Sequence, residues 1–255
     1  MSREKADRAL FNKIAFQYAR KDVVPSSSLA RRSQLLLAMA PLLEGMVTLG
    51  TVVEIGCGAG APARYLAGHY EQYIGIDQSE GMVDAARVFH QDNPRASFIA
   101  ENVKSEDLPQ DAADVVLAVG ALHHMTPLDD VMVSLNRIAR PGAFMVAIEP
   151  QNGNPLIQAM RWFRGIIDPS YSQEQVFFST EELEEIFTRH GITRLEVSFQ
   201  GYLTPPFAQV IIPPQFLTVP LVRVAIRVER WLQVHLPRSL RRLSFNVVVI
   251  GRFSE

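Results

Sequence analysis

A single cysteine, Cys57, stands among 255 residues, so no intrachain disulfide can form, and a reducing, cytoplasmic setting suits the chain. Long apolar runs are also lacking. No uninterrupted stretch approaches the ~18–20 residues that span a bilayer. The richest, residues 203–236, is broken by Pro205, Pro206, Pro213, Pro214 and Pro220 and then by arginines. The first 21 residues are helical in pattern but charged at both ends, without the apolar centre of a secretory signal. No Cys/His cluster has metal-ligand spacing, and neither a Walker sequence nor Gly-x-Ser-x-Gly occurs, so a metal centre, a P-loop and an esterase elbow are not expected. What is present is globular: 47% hydrophobic and 20% charged residues exclude a disordered chain. A chain of this length can bury enough surface to fold without cross-links.

The net charge of −2 conceals a polarity along the chain. Residues 1–50 carry eight Lys/Arg against four acids, residues 51–200 ten against 21, and residues 201–255 seven arginines against two acids. An acidic centre argues against a nucleic-acid groove, which needs clustered cations on one face.

Between residues 51 and 150, short β-branched runs alternate with helical stretches. Strands are expected at 51–55, 72–77, 96–100, 114–119 and 143–148, with helices at 61–69, 80–91 and 128–139. This period means right-handed βαβ units and a parallel sheet. Beyond Pro150 the pattern changes. A helix is expected over 155–166, a loop over 168–175, and a helix over 181–190 with Thr180 as its N-cap. Strands over 193–199 and 245–253 follow, separated by a proline-broken apolar insert. The fold expected is a Rossmann-like, mostly parallel seven-stranded sheet with helices on both faces and an antiparallel last strand. Three regions result: a helical N-terminal cap (1–50), a cofactor-binding Rossmann-like core (51–150), and a segment completing the sheet with a helical, apolar substrate-binding or lid insert (151–255).

The informative segment is Glu54-Ile55-Gly56-Cys57-Gly58-Ala59-Gly60, directly after a strand and before a helix. Glycines there let a ligand approach the backbone, and Asp77, ending the second strand 17 residues after Gly60, can accept two hydrogen bonds from a ribose diol. Gly56, Gly58 and Ala61 also fit the dinucleotide fingerprint, so a nicotinamide oxidoreductase is the competing reading. Glu54 divides the two. A carboxylate there repels a pyrophosphate and suits a cationic ligand, which tilts the choice to S-adenosyl-L-methionine with its sulfonium and ammonium.

With these motifs in order, residues 51–150 resemble the class I S-adenosylmethionine-dependent methyltransferases of the type-11 group. The resemblance implies that Glu54, Gly56, Cys57, Gly58 and Gly60 lie under the methionine part of the cofactor and that Asp77 takes the ribose hydroxyls. It implies that Gln78 and Met82 border the adenine, that Glu101 or Asn102, with Val103, meets the adenine amine, and that Gly120 flanks the methyl group. Tyr18 is placed either over the cofactor, as aromatic residues before the first strand are in relatives, or in the core. His123 and His124 follow the fourth strand, where either can act as base, orient the acceptor or simply form a wall; His124 matches the family's more regular position. Glu149, ending the fifth strand, is read as holding a substrate hydroxyl or capping the next helix. Cys57 is read as a packing group. A third reading is a binding module that holds the cofactor and transfers nothing.

Near the C-terminus, residues 221–236 form an amphipathic pattern. Arg223, Arg227 and Arg230 make one stripe, Leu221, Val222, Ala225, Ile226, Val228, Trp231 and Leu232 cover most of the remainder, and Arg238, Arg241 and Arg242 follow. Two expectations stay open for residues 221–242: a lid packed on the core or on a second subunit, or contact with an anionic membrane surface. The apolar insert favours a small, hydrophobic or lipid-linked acceptor. Oligomeric state is left open.

Overall fold

The computed structural model describes residues 3–152, 154–155, 158 and 178–255. The segments expected over 155–166 and 168–175 lie almost wholly outside these residues.

Three helices come first, α1 (Arg3–Val23), α2 (Pro25–Ala38) and α3 (Ala40–Gly45). Then follow β1 (Thr51–Ile55), α4 (Ala61–Tyr65), β2 (Gln72–Asp77), α5 (Glu80–Phe89), β3 (Ala96–Ala100), β4 (Ala113–Val119), α6 (Leu128–Ile138) and β5 (Ala139–Pro150). The chain ends with α7 (Thr180–Arg189), β6 (Ile192–Gln200), α8 (Pro205–Gln209), α9 (Gln215–His235), α10 (Arg238–Arg241) and β7 (Asn246–Phe253). The seven strands form one sheet in the order β3-β2-β1-β4-β5-β7-β6. β1 to β5 are parallel, and β7 inserts between β5 and β6, antiparallel to both. This is the Rossmann-like sheet that the alternation of elements predicts.

Strand alternation supplies a core on each face. Val53 and Ile55 of β1 point to a layer with Leu122, Val131 and Leu135, while Val52 points to one with Leu35, Leu66 and Val83. Because the sheet is covered on both sides, β4 is apolar from Val115 to Val119, with Val115, Val116, Leu117 and Ala118 fully buried.

Several boundaries differ from the expectations, four of them with a clear local cause. α4 stops at Tyr65 because Gly68 adopts φ +90° and the His69 carbonyl is taken by the Leu49 amide at 2.8 Å. β5 begins at Ala139, and Arg140-Pro141-Gly142 is absorbed into the strand as an irregularity, with Ala139 pairing Ala113. The cap of α7 is Ser179: its hydroxyl accepts from the Glu182 amide at 3.1 Å, and Glu182 accepts from the Ser179 amide at 2.7 Å. A reciprocal pair satisfies two otherwise orphaned donors, which Thr180 with Leu183 three residues on could not do. Finally, α9 begins six residues early and runs through Pro220. Its first turn is tied by the Thr218 hydroxyl, which donates to the Ile212 and Pro214 carbonyls.

Candidate active site

The strand order reverses direction between β1 and β4, and in open α/β sheets ligands bind at such a point, outside the carboxyl ends of the strands. The glycine loop leaves β1 there. Gly60 has φ +73°, and a side chain on it would reach within 2.6 Å of the Phe98 ring, so internal packing alone requires glycine. Gly58 differs. Its φ is +52°, and a side chain there would meet nothing within 4 Å. This is the one loop glycine that opens onto free space, the feature a ligand lying against the backbone requires.

Asp77 ends β2 and ties two turns together. One carboxylate oxygen accepts from the Gly58 amide at 2.9 Å and the other from the Ser79 amide at 2.8 Å. Burial raises its pKa, and these two amides pull it back down. Glu54 is 1% exposed. Its carboxylate accepts a short hydrogen bond from the Tyr73 hydroxyl on the neighbouring strand. Burial pushes its pKa well up, the Tyr73 bond opposes this, and nearby Asp77 adds to it. Glu54, the acid expected to meet a cationic ligand, is thus buried rather than open to solvent.

After β4 a short 3-10 turn, Leu122–His124, carries two imidazoles whose ring centroids lie 4.1 Å apart. His123 Nδ1 lies 2.7 Å from Oε2 of Glu149, whose Oε1 accepts from the amides of Ala121 at 2.9 Å and Leu122 at 2.8 Å. Glu149 is wholly buried. It does not face outward as a residue holding a substrate hydroxyl would; three groups from the β4 exit converge on it, and the helix it was expected to cap lies almost wholly outside the described residues. Only the packing of β5 beside β4 brings them together. Since a carboxylate accepts only, Nδ1 of His123 is the donor in this contact. His124, the histidine favoured from sequence, instead meets Asp7 of α1 at 3.3 Å. Burial and the neighbouring His123 push its pKa down to about 4, against the pull of Asp7.

α1 crosses this edge from end to end. Glu4 pairs with Lys104 after β3 at 2.7 Å. Phe11 and His124 meet edge to face, with ring centroids 5.6 Å apart. Asn12 accepts from the Ser79 hydroxyl at 2.7 Å and the Gly81 amide at 3.0 Å. Ala19 packs with Ala59 of the glycine loop and Ala85 of α5. Tyr18 lies within this cover: its hydroxyl accepts from Arg31 at 3.3 Å, and Arg31 also pairs with Asp22 at 2.6 Å.

The remaining candidates divide by depth. Met82 and Val103 are buried, Gln78 and Gly120 half-buried, and Glu101 exposed. Asn102 bends its own loop, accepting from the Lys104 amide at 2.9 Å. Cys57 is buried and its thiol pKa is raised by burial and by the nearby Asp77 and Glu54, which suits a packing role and not a nucleophile. Sequence reading missed Tyr73, Asp7, Asn12 and Arg31. Tyr73 has a weak signal, as a polar-tipped residue in a buried strand; the other three act only through the docking of α1 and α2.

Fold and site together define a Rossmann-like domain built to hold a nucleoside-bearing ligand at the β1/β4 junction. Residues 53–147 match the profile of the methyltransferase domain family. This segment is a methyltransferase domain of the class I S-adenosylmethionine-dependent kind, a fold that implies S-adenosyl-L-methionine as the cofactor. The chain is 30% identical over 176 residues to the ubiquinone biosynthesis O-methyltransferase of Rhodopseudomonas palustris strain TIE-1, covering 65% of each chain. It is 24% identical over 145 residues to a hybrid PKS-NRPS synthetase of Trichoderma harzianum, a match covering 53% of this chain and 4% of the synthetase. Among solved structures, a SAM-dependent methyltransferase from Thermotoga maritima superposes with a TM-score of 0.63 at 16% identity, covering 96% of this chain and 98% of that one. Nothing among these relatives supports the nicotinamide oxidoreductase reading.

Proposed function

We propose that this protein transfers the methyl group of S-adenosyl-L-methionine to a small, hydrophobic acceptor whose attacking oxygen or carbon must first lose a proton. The observation that carries the reading is the buried contact of His123 with Glu149, which fixes a basic imidazole at the exit of β4. An amine acceptor attacks through its own lone pair and has less need of such a base. The relative named for O-methylation in ubiquinone biosynthesis supports the same choice.

The cofactor supplies a methyl carbon already activated by a sulfonium. The chain must align the acceptor, exclude water and manage one proton. Gly58 gives the backbone surface on which the methionine portion rests, with Gly56, Cys57 and Gly60 shaping the loop. Asp77 keeps a lone pair on each oxygen for the ribose hydroxyls while its amide bonds hold the loop in place. Met82 with Gln78 borders the adenine, and Asn102 or Glu101 meets its amine. Gly120 leaves room beside the methyl carbon. His123 Nε2 accepts the acceptor's proton, and Glu149 holds the tautomer and then stabilises the imidazolium.

The test is incubation with methyl-labelled cofactor and a lipid extract of the host, alongside apolar phenols, β-dicarbonyl compounds and amines, followed by mass analysis. Label is expected on an oxygen or carbon of an apolar product, with His123→Ala slower by roughly 10²–10⁴-fold. Transfer only to amines, or an undiminished rate in His123→Ala, would remove the base from the reaction.

A further inference from the structure

The apolar residues of α9 divide into two groups that the sequence pattern alone does not separate. Val222, Ala225 and Ile226 turn inward, and Val222 and Ile226 pack on Ala30 of α2 and Ala208 of α8. Glu229, on the same face and 2% exposed, clamps the helix down. Its carboxylate accepts from the Gly201 amide at 2.8 Å, the Thr204 amide at 2.9 Å and the Thr204 hydroxyl at 2.6 Å. The inner face is therefore committed.

A second apolar row is left outside. Leu217, Leu221, Val224, Val228 and Trp231 follow one another at steps of four, three, four and three, which lines them along one side of the helix. All five are exposed, Leu221 at 59% and Trp231 at 57%. Beside them, about 100° around the helix, run Arg223, Arg227 and Arg230, exposed and without a salt-bridge partner among the described residues. The single acid of the helix, Glu229, faces the protein. The outer surface thus pairs an apolar ridge with an uncompensated cationic ridge, and no described helix is long and apolar enough to cross a membrane.

We propose that α9 docks this protein on the surface of an anionic lipid bilayer. The helix lies parallel to the surface, its apolar row entering the boundary between headgroups and acyl chains, with Trp231 at the depth its amphipathic ring prefers. The arginine row meets lipid phosphates, which supply the missing counter-charge. A second copy of the chain is the poorer occupant, because an antiparallel two-fold contact along α9 would bring two arginine rows together, and a parallel one would leave both rows without a counter-charge from the partner helix, whose single acid faces its own protein. The proposal does not depend on the methyl-transfer reading, since it concerns a face built from α9 and read by binding alone.

The full chain should co-sediment with vesicles of equal parts phosphatidylcholine and phosphatidylglycerol, at least about tenfold more tightly than with phosphatidylcholine alone, and less tightly as salt is raised. Arg223→Glu/Arg227→Glu/Arg230→Glu should abolish the anionic preference, and Val224→Glu should weaken binding to both vesicles. Tryptophan emission should shift to the blue on binding in the parent chain and much less in Trp231→Phe. Each substituted side chain is exposed, and unchanged binding of adenosylhomocysteine would show that the variants remain folded. Failure to bind anionic vesicles would overturn the proposal, as would equal binding to both compositions. So would a dimer in solution that Val224→Glu dissociates while vesicles leave the parent chain unbound.

Discussion

Oε2 of Glu149 lies 2.7 Å from Nδ1 of His123, while Oε1 of the same carboxylate holds two backbone amides of the turn that carries this histidine. One side chain therefore sets the position of the turn, the tautomer of the ring and the direction of its basic nitrogen.

Glu149→Gln keeps the acceptor for the two amides but turns an N–H toward His123, whose Nδ1 must then accept and whose Nε2 must then carry the proton. A base becomes a donor with little change in shape. We expect kcat to fall by about 10²–10⁴-fold, with cofactor affinity unchanged. Isothermal titration with adenosylhomocysteine beside single-turnover methyl transfer would read both quantities. A parallel loss of affinity would mean that the pair only holds the loop.

Glu54 has its pKa raised by burial, so its proton is retained in the folded chain to a higher pH than in the unfolded one. The sign follows from linkage: its stabilisation is full below the ordinary value of 4.5 and is lost as pH rises through the raised folded value. Glu54→Gln removes this loss, keeps an acceptor for Tyr73 and gives up the charge that a cationic ligand would meet. The ligand-free variant should be more stable than the parent at neutral pH and bind S-adenosylmethionine more weakly. Denaturant midpoints across pH, with cofactor titrations at pH 7, would check the pair of effects; tighter cofactor binding would contradict the charge argument.

His124 behaves in the opposite sense. Its folded pKa of about 4 lies below the usual 6.5, so the unfolded chain takes up the proton first. Its contribution is complete above about 6.5 and is lost as pH falls toward 4. A His124→Asn variant should lose less stability than the parent between pH 7 and pH 4, by an amount on the order of 1–3 kcal/mol. Identical slopes for both proteins would argue against a buried, neutral ring.

Two glycines of one loop should fail differently when replaced. Gly60→Ala drives a methyl group into the Phe98 ring at a backbone angle that side chains disfavour, so stability should drop by about 1–3 kcal/mol. Gly58→Ala carries a similar backbone strain without a clash, and its methyl group enters the open space over the loop. There the larger effect should be on cofactor affinity. Thermal melts with and without adenosylhomocysteine separate the two, and equal losses of affinity would place both glycines against the ligand.

Much of the architecture was legible because it rests on local rules. β-branched runs punctuated by glycine and separated by amphipathic stretches announce a βαβ sheet, and the residues from Glu54 to Gly60 with Asp77 announce the edge where a ligand binds. The cap of α7 was legible too, in Ser179 and Glu182 at capping-box spacing, although Thr180 drew the reading away. The histidines were harder. His123 and His124 are adjacent and chemically alike, and sequence offers no means of telling which carboxylate each one meets. That depends on β5 lying beside β4, which brings residue 149 to residue 123, and on α1 crossing the edge, which brings Asp7 to His124.

The chain's order of residues thus determined the sheet, its open edge and the chemistry collected there, since periodicity, turn glycines and strand-end acids act over a few neighbours. Tertiary packing alone decided which carboxylate each histidine meets, how deep Glu54 sits, and which apolar row of α9 is buried and which is left outside. Those outcomes turn on contacts between segments far apart along the backbone, where the geometry of docking, and not the identity of any one side chain, selects the partner.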